Sequence, residues 1–121
     1  MKSLLLLQDP ASSIDVASPL IAAGWQVVKS TTQGLLKREQ PERLHADFVG
    51  LLIFSSWQSF SPQEIAALPE STTRQWVAVL PRAALRRAVL ARAVLEHCHD
   101  YHTLPLDAPR LVATLGHLSG R

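Results

Sequence analysis

The chain has 121 residues, enough for one hydrophobic core and too few for two ordinary domains. Hydrophobic residues at 47% and charged residues at 18% are globular values, and a formal charge of +2 is too small to argue for nucleic-acid binding. A single cysteine, Cys98, excludes an internal disulfide and fits a reducing compartment.

Residues 3–7 form an apolar run closed by Gln8-Asp9-Pro10, which predicts a buried first strand, β1. Its leucines are too few for a signal core or a membrane span. Ser12 or Ser13 is suited to cap a helix α1 over residues 14–23, with Asp15 near its positive end and Gly24 ending it. Pro19 within that span favours a late start or a bend. Residues 25–29 predict β2. Residues 33–44 predict a short or broken helix α2, interrupted by Gly34 and Pro41.

The most apolar run, residues 48–54, predicts a central strand β3. Ser61-Pro62-Gln63-Glu64 reads as a capping box with proline at the first helical position, opening α3, which Pro69 is expected to stop after Leu68. Residues 75–80 predict β4, ended by Pro81, and residues 83–97 a helix α4 rich in Ala, Leu and Arg. Residues 100–103 predict β5. Asp107 then caps α5 over residues 108–118, with Pro109 in the first turn and Gly120 beyond the end.

Five short strands alternating with helices predict an α/β fold of the flavodoxin or CheY-like doubly wound type, a parallel sheet in the order 2-1-3-4-5 with helices on both faces. In such a sheet the chemistry lies at the carboxyl ends of the strands, here Gln8-Asp9-Pro10, Ser55-Ser56-Trp57, Pro81-Arg82 and Leu104-Pro105.

The stretch Asp100-Tyr101-His102-Thr103-Leu104-Pro105-Leu106-Asp107 resembles the last strand and following loop of response-regulator receiver domains, whose pattern is Asp-Tyr-x-x-Lys-Pro. With Trp76-Val77-Ala78, Leu80-Pro81 and residues 111–117, it is similar to the degenerate amino-terminal receivers of VpsR-like sigma-54-dependent activators. The resemblance spans the chain and is specific from Gln75 onward. It implies a regulatory head attached to an ATPase domain and a DNA-binding domain. It also implies a cis peptide at Leu104-Pro105.

The same resemblance implies four phosphorylation parts, needed together to hold magnesium and neutralise a phosphoryl group. They fall on Gln8-Asp9 for the acidic pair, Phe54 or Ser55 for the acceptor, Pro81 or Leu80 for the hydroxyl, and Leu104 for the lysine. Only Asp9 keeps its type, and residues 48–99 contain no aspartate. A leucine at 104 can neither donate to phosphate nor offset its charge. The expectation is a remnant receiver site of Gln8, Asp9, Ser55, Pro81, Leu104 and Pro105, with no phosphoacceptor and no cofactor. Asp9 is then a cap for the next turn.

On the α4 wheel, Ala83, Ala84, Ala88, Leu90, Ala91, Val94 and Leu95 share the sheet-facing arc, while Leu85 and Val89 sit outside it among Arg82, Arg86, Arg92 and Glu96. An apolar pair rimmed by charge suits a contact surface, and receivers commonly dimerise through α4, β5 and α5. A homodimer through that face, with Tyr101 on β5, is therefore expected. The arginines leave open an anionic, cyclic-dinucleotide ligand. His97, Cys98, His99 and His102 are divided between a helix end and a strand, so no shared metal site is expected. With no Walker motif, recognition helix or glycine-rich phosphate loop, the functional expectation is a cytoplasmic, non-enzymatic signalling module that binds neither nucleic acid nor membrane directly. An atypical phosphoacceptor receiver is the alternative.

Overall fold

The computed structural model describes residues 2–30, 48–72 and 75–119. Five parallel strands, β1 (Lys2–Gln8), β2 (Trp25–Lys29), β3 (Val49–Ile53), β4 (Trp76–Leu80) and β5 (Asp100–Thr103), form one sheet in the order β2-β1-β3-β4-β5. This is the expected doubly wound arrangement. The segment expected to form α2 lies outside the described residues.

Alternation along the strands divides the interior into two cores. Leu5, Leu7, Leu52, Phe54, Ala78 and Leu80 face the side covered by α3 (Pro62–Thr72) and α4 (Ala88–His97), where Ile65, Leu68, Leu90 and Val94 meet them. Leu4, Leu6, Leu51, Ile53, Val77 and Val79 face the other side, covered by α1 (Ala17–Ala22) and α5 (Ala108–Ser119) through Val16, Leu20, Leu111 and Leu115. Every residue of β3 and β4 is buried, as central parallel strands require.

Gly50 lies opposite Trp76 in the β3–β4 register, and a Cβ at Gly50 would overlap indole carbons of Trp76. The glycine therefore makes room for the largest fully buried side chain of the core.

Three helix boundaries depart from expectation. Helix α1 starts at Ala17, where Val16 at the cap position offers no side-chain bond and Asp15 Oδ1 instead accepts from Ser18 N at 3.1 Å, Ser12 being engaged elsewhere; Pro19 then falls in the first turn, where its missing N–H costs nothing. Helix α3 has its expected capping box, with Glu64 N donating to Ser61 Oγ at 3.1 Å and Ser61 N to Glu64 Oε1 at 3.0 Å. It runs through Pro69 to Thr72, because proline removes only one ladder bond, and the burial of Ile65 and Leu68 holds the helix on the sheet.

The third departure changes the outer surface. Residues 82–97 do not form one helix: a 3-10 turn, Arg82–Arg86, is followed by Arg87 in an extended conformation (φ −84, ψ 103), and α4 begins at Ala88. The break resets the helical phase, so Leu95, expected in the core, is 64% exposed, and Ala83 is exposed as well. Leu85, expected outside beside Val89, packs partly against the α3/α4 core. Val89 stands alone at the start of α4, 70% exposed.

Candidate functional site

The loops after β1 and β3 meet at one carboxylate. In-register pairing sets Gln8 opposite Ile53, so Asp9 and the residues after β3 emerge together, and Asp9 N donates to Ile53 O at 3.1 Å. Asp9 Oδ2 accepts from Ser55 Oγ and from Ser59 Oγ, each at 2.5 Å, and Oδ1 accepts from Ala11 N at 3.0 Å. Ser59 Oγ in turn accepts from Ser55 N at 2.9 Å and Ser56 N at 3.1 Å. Three hydroxyl or amide donors thus converge on one acid. The Ser55 hydroxyl first, then Ser59 and the Ala11 amide, hold its carboxyl below the ordinary aspartate range, against a small opposing effect of burial.

Other expected site residues are used differently. Gln8 turns away from Asp9, its Nε2 donating to Ile14 O at 2.7 Å and Ser12 Oγ at 3.2 Å, which ties down the loop before α1. Of the two residues at the acceptor position, Phe54 is fully buried, edge-on to Phe60 with ring centroids 4.8 Å apart, and Ser55 alone faces Asp9. Pro81 precedes the 3-10 turn and its carbonyl accepts from Ala84 N. Leu104 packs with Leu106 on the α1/α5 core, and Leu104-Pro105 is cis.

Ser59 is the member of this cluster that sequence reading missed. The only signal was a serine-rich loop, Ser55-Ser56-Trp57-Gln58-Ser59, and nothing in its spacing says that the fifth residue folds back.

A second concavity, of about 640 Å³, lies at the end of β5. Arg82, Leu85 and Tyr101 line it with Leu104 and Pro105, together with Asp100, Asp107 and Arg110; Arg86, Val89 and Arg92 do not. Asp9 and Ser55 are not part of it either. Arg92 forms an exposed ion pair with Glu96 at 2.9 Å along α4. His102, at the same sheet end, is buried, with Nε2 3.0 Å from Thr114 Oγ1. Because the Thr114 hydroxyl gives its one proton to Arg110 O at 3.1 Å, His102 Nε2 is the donor to Thr114.

Burial pushes the Cys98 thiol up to about 12, so it is inert as a nucleophile. Among the described residues no group of three or more His, Cys, Asp or Glu side chains could hold a metal. Among the same residues no helix is long and apolar enough to cross a membrane.

Among curated proteins none matches the chain. Solved structures do. The receiver domain of a response regulator from Clostridium thermocellum superimposes with a TM-score of 0.74 at 17% identity, covering 100% of this chain and 96% of that one. The receiver domain of NtrC4 from Aquifex aeolicus gives 0.71 at 17% identity, covering 98% and 96%. A member of a family of streptococcal redox sensors evolved from two-component response regulators gives 0.73 at 15% identity, covering 99% of this chain and 52% of that chain. These likenesses establish the receiver fold. The profile of the VpsR domain matches residues 1–116, nearly the whole chain, and with the Asp9 cluster and the cis Leu104-Pro105 turn set on a receiver sheet, the chain belongs to the VpsR domain family.

Proposed function

We propose that this domain is a receiver-fold signalling module that works by protein contact, without phosphorylation of an aspartate and without enzymatic activity. In this reading it is the cytoplasmic regulatory head of a sigma-54-dependent activator, joined to an ATPase domain and a DNA-binding domain. It pairs with a second copy through the face made by α4, β5 and α5.

The observation that carries the reading is the closure of Asp9 by Ser55 and Ser59. A phosphoreceiver needs a carboxylate at the end of β3 and a cation after β5. Here a serine hydroxyl occupies the first position and donates to the one surviving acid, and an aliphatic side chain at the second packs into the core. Neither can take up or neutralise a phosphoryl group as a carboxylate and lysine do.

Fluorine NMR with beryllofluoride and magnesium tests this. The expected spectrum has no protein-bound resonance. A bound resonance that disappears in Asp9→Ala identifies a working acceptor site and contradicts the reading.

A further inference from the structure

Beside the break at Arg87, a cavity of about 460 Å³ lies between the loop after β3 and the start of α4, and neither Asp9 nor Ser55 lines it. Its walls are Trp57, Phe60, Pro62, Val89 and Leu90, and its one charged lining residue is Arg87. The volume is that of a small-molecule site.

Two features fix the chemistry of an occupant. Most of the lining is apolar, with Trp57 and Phe60 aromatic; Gln58 and Ser61 are polar, the Ser61 amide donating to Glu64 Oε1 and its hydroxyl accepting from Glu64 N at the start of α3. An occupant therefore needs an apolar, planar body. Arg87 supplies the polar end. Its guanidinium lies 3.8 Å over the Trp57 ring, which places the charge in the cavity wall beside an aromatic surface. Among the described residues no carboxylate pairs with Arg87, and none lines the cavity.

We infer that this cavity binds a small aromatic monocarboxylate, its ring against Trp57, Phe60 and Val89 and its carboxylate in a bidentate pair with Arg87. Such a ligand bridges two segments, the loop carrying Ser55 and Ser59 and the first turn of α4. The inference goes beyond the proposed function, and holds or fails without reference to phosphorylation.

The test is calorimetric titration with 2-naphthoate and with its uncharged counterpart 2-naphthalenemethanol, on the domain, on Arg87→Gln and on Val89→Asp. Both replaced side chains are exposed, and circular dichroism confirms that each variant is folded. The expected result is one saturable site for naphthoate. Arg87→Gln weakens the acid by about tenfold and leaves the alcohol within about twofold, and Val89→Asp weakens the acid more than the alcohol. In the parent, the Trp57 indole N–H resonance shifts on adding the acid. No saturable heat with naphthoate, or equal losses for acid and alcohol in Arg87→Gln, overturns the inference.

Discussion

Ser55, Ser59 and the Ala11 amide all donate to Asp9 and hold its pKa below the ordinary aspartate value, which has a consequence for acid stability. Its folded pKa lies below its unfolded one, so its contribution to stability is fully present above the unfolded value and is lost as pH falls through the folded value. Asp9→Asn should lower Tm at neutral pH, and the two melting curves should converge once the pH is well below the ordinary carboxylate range. A constant difference in Tm down to that pH contradicts the assigned bonds.

His102 behaves in the opposite chemical sense and the same pH direction. Burial lowers its pKa from 6.5, with Asp100 opposing and Arg110 assisting. Below that value the unfolded ring binds a proton that the folded ring does not, so stability falls as the pH drops below the unfolded value. Thermal melts from about pH 7.5 to about pH 5.5 should show this loss in the parent and a flatter profile in His102→Gln. Equal slopes would remove His102 as the cause. The assignment of Asp9 as a turn cap was legible in the sequence, through the preference of aspartate for such positions, and Ala11 N confirms it. Its serine partners were not legible, since Ser55 and Ser59 reach Asp9 across more than forty residues of chain, and only strand register decides that meeting.

At the scale of elements, strands were easier to read than helices. A buried parallel strand is a bare apolar run, as residues 49–53 and 76–80 are, and the partly buried edge strands at residues 25–29 and 100–103 also form as expected. Helix ends depend on where bonds go: Ser61 and Asp107 cap as their side chains suggest, Arg110 N donating to Asp107 Oδ1 at 3.2 Å, whereas Ser12 is diverted by Gln8. The break at Arg87 has no proline or glycine to announce it. It arises where Leu85 turns inward to the core while Arg87 lies over Trp57, both tertiary contacts. The close approach of β3 and β4 gives a prediction of its own: Gly50→Ala should destabilise the domain by about 1–3 kcal/mol, the cost of overpacking a closed core, in urea unfolding. A change under about 0.5 kcal/mol means that Trp76 has room to move.

For the whole molecule, the alternation of strand and helix implies a parallel doubly wound sheet, and the order β2-β1-β3-β4-β5 brings the ends of β1 and β3 together whatever residues occupy them. The groove beside β5 carries Arg82 and Arg110 against Asp100 and Asp107, a balanced set that a two-fold axis can pair with its own copy. Leu85 is partly in the core, which makes the exposed Tyr101 the cleaner probe of that surface. If the domain pairs through the proposed α4, β5 and α5 face, light scattering should report a dimer that Tyr101→Glu converts to monomer; a monomeric parent, or a dimer untouched by the change, contradicts that proposal.

The claim on which the account rests is that a receiver fold here operates with its phosphoryl chemistry closed. Incubation of the domain with acetyl phosphate and magnesium, followed by intact mass spectrometry, addresses it directly. An unchanged mass is expected in the parent and in Asp9→Ala alike, and a stable gain of one phosphoryl group in the parent that is absent from Asp9→Ala would contradict that claim.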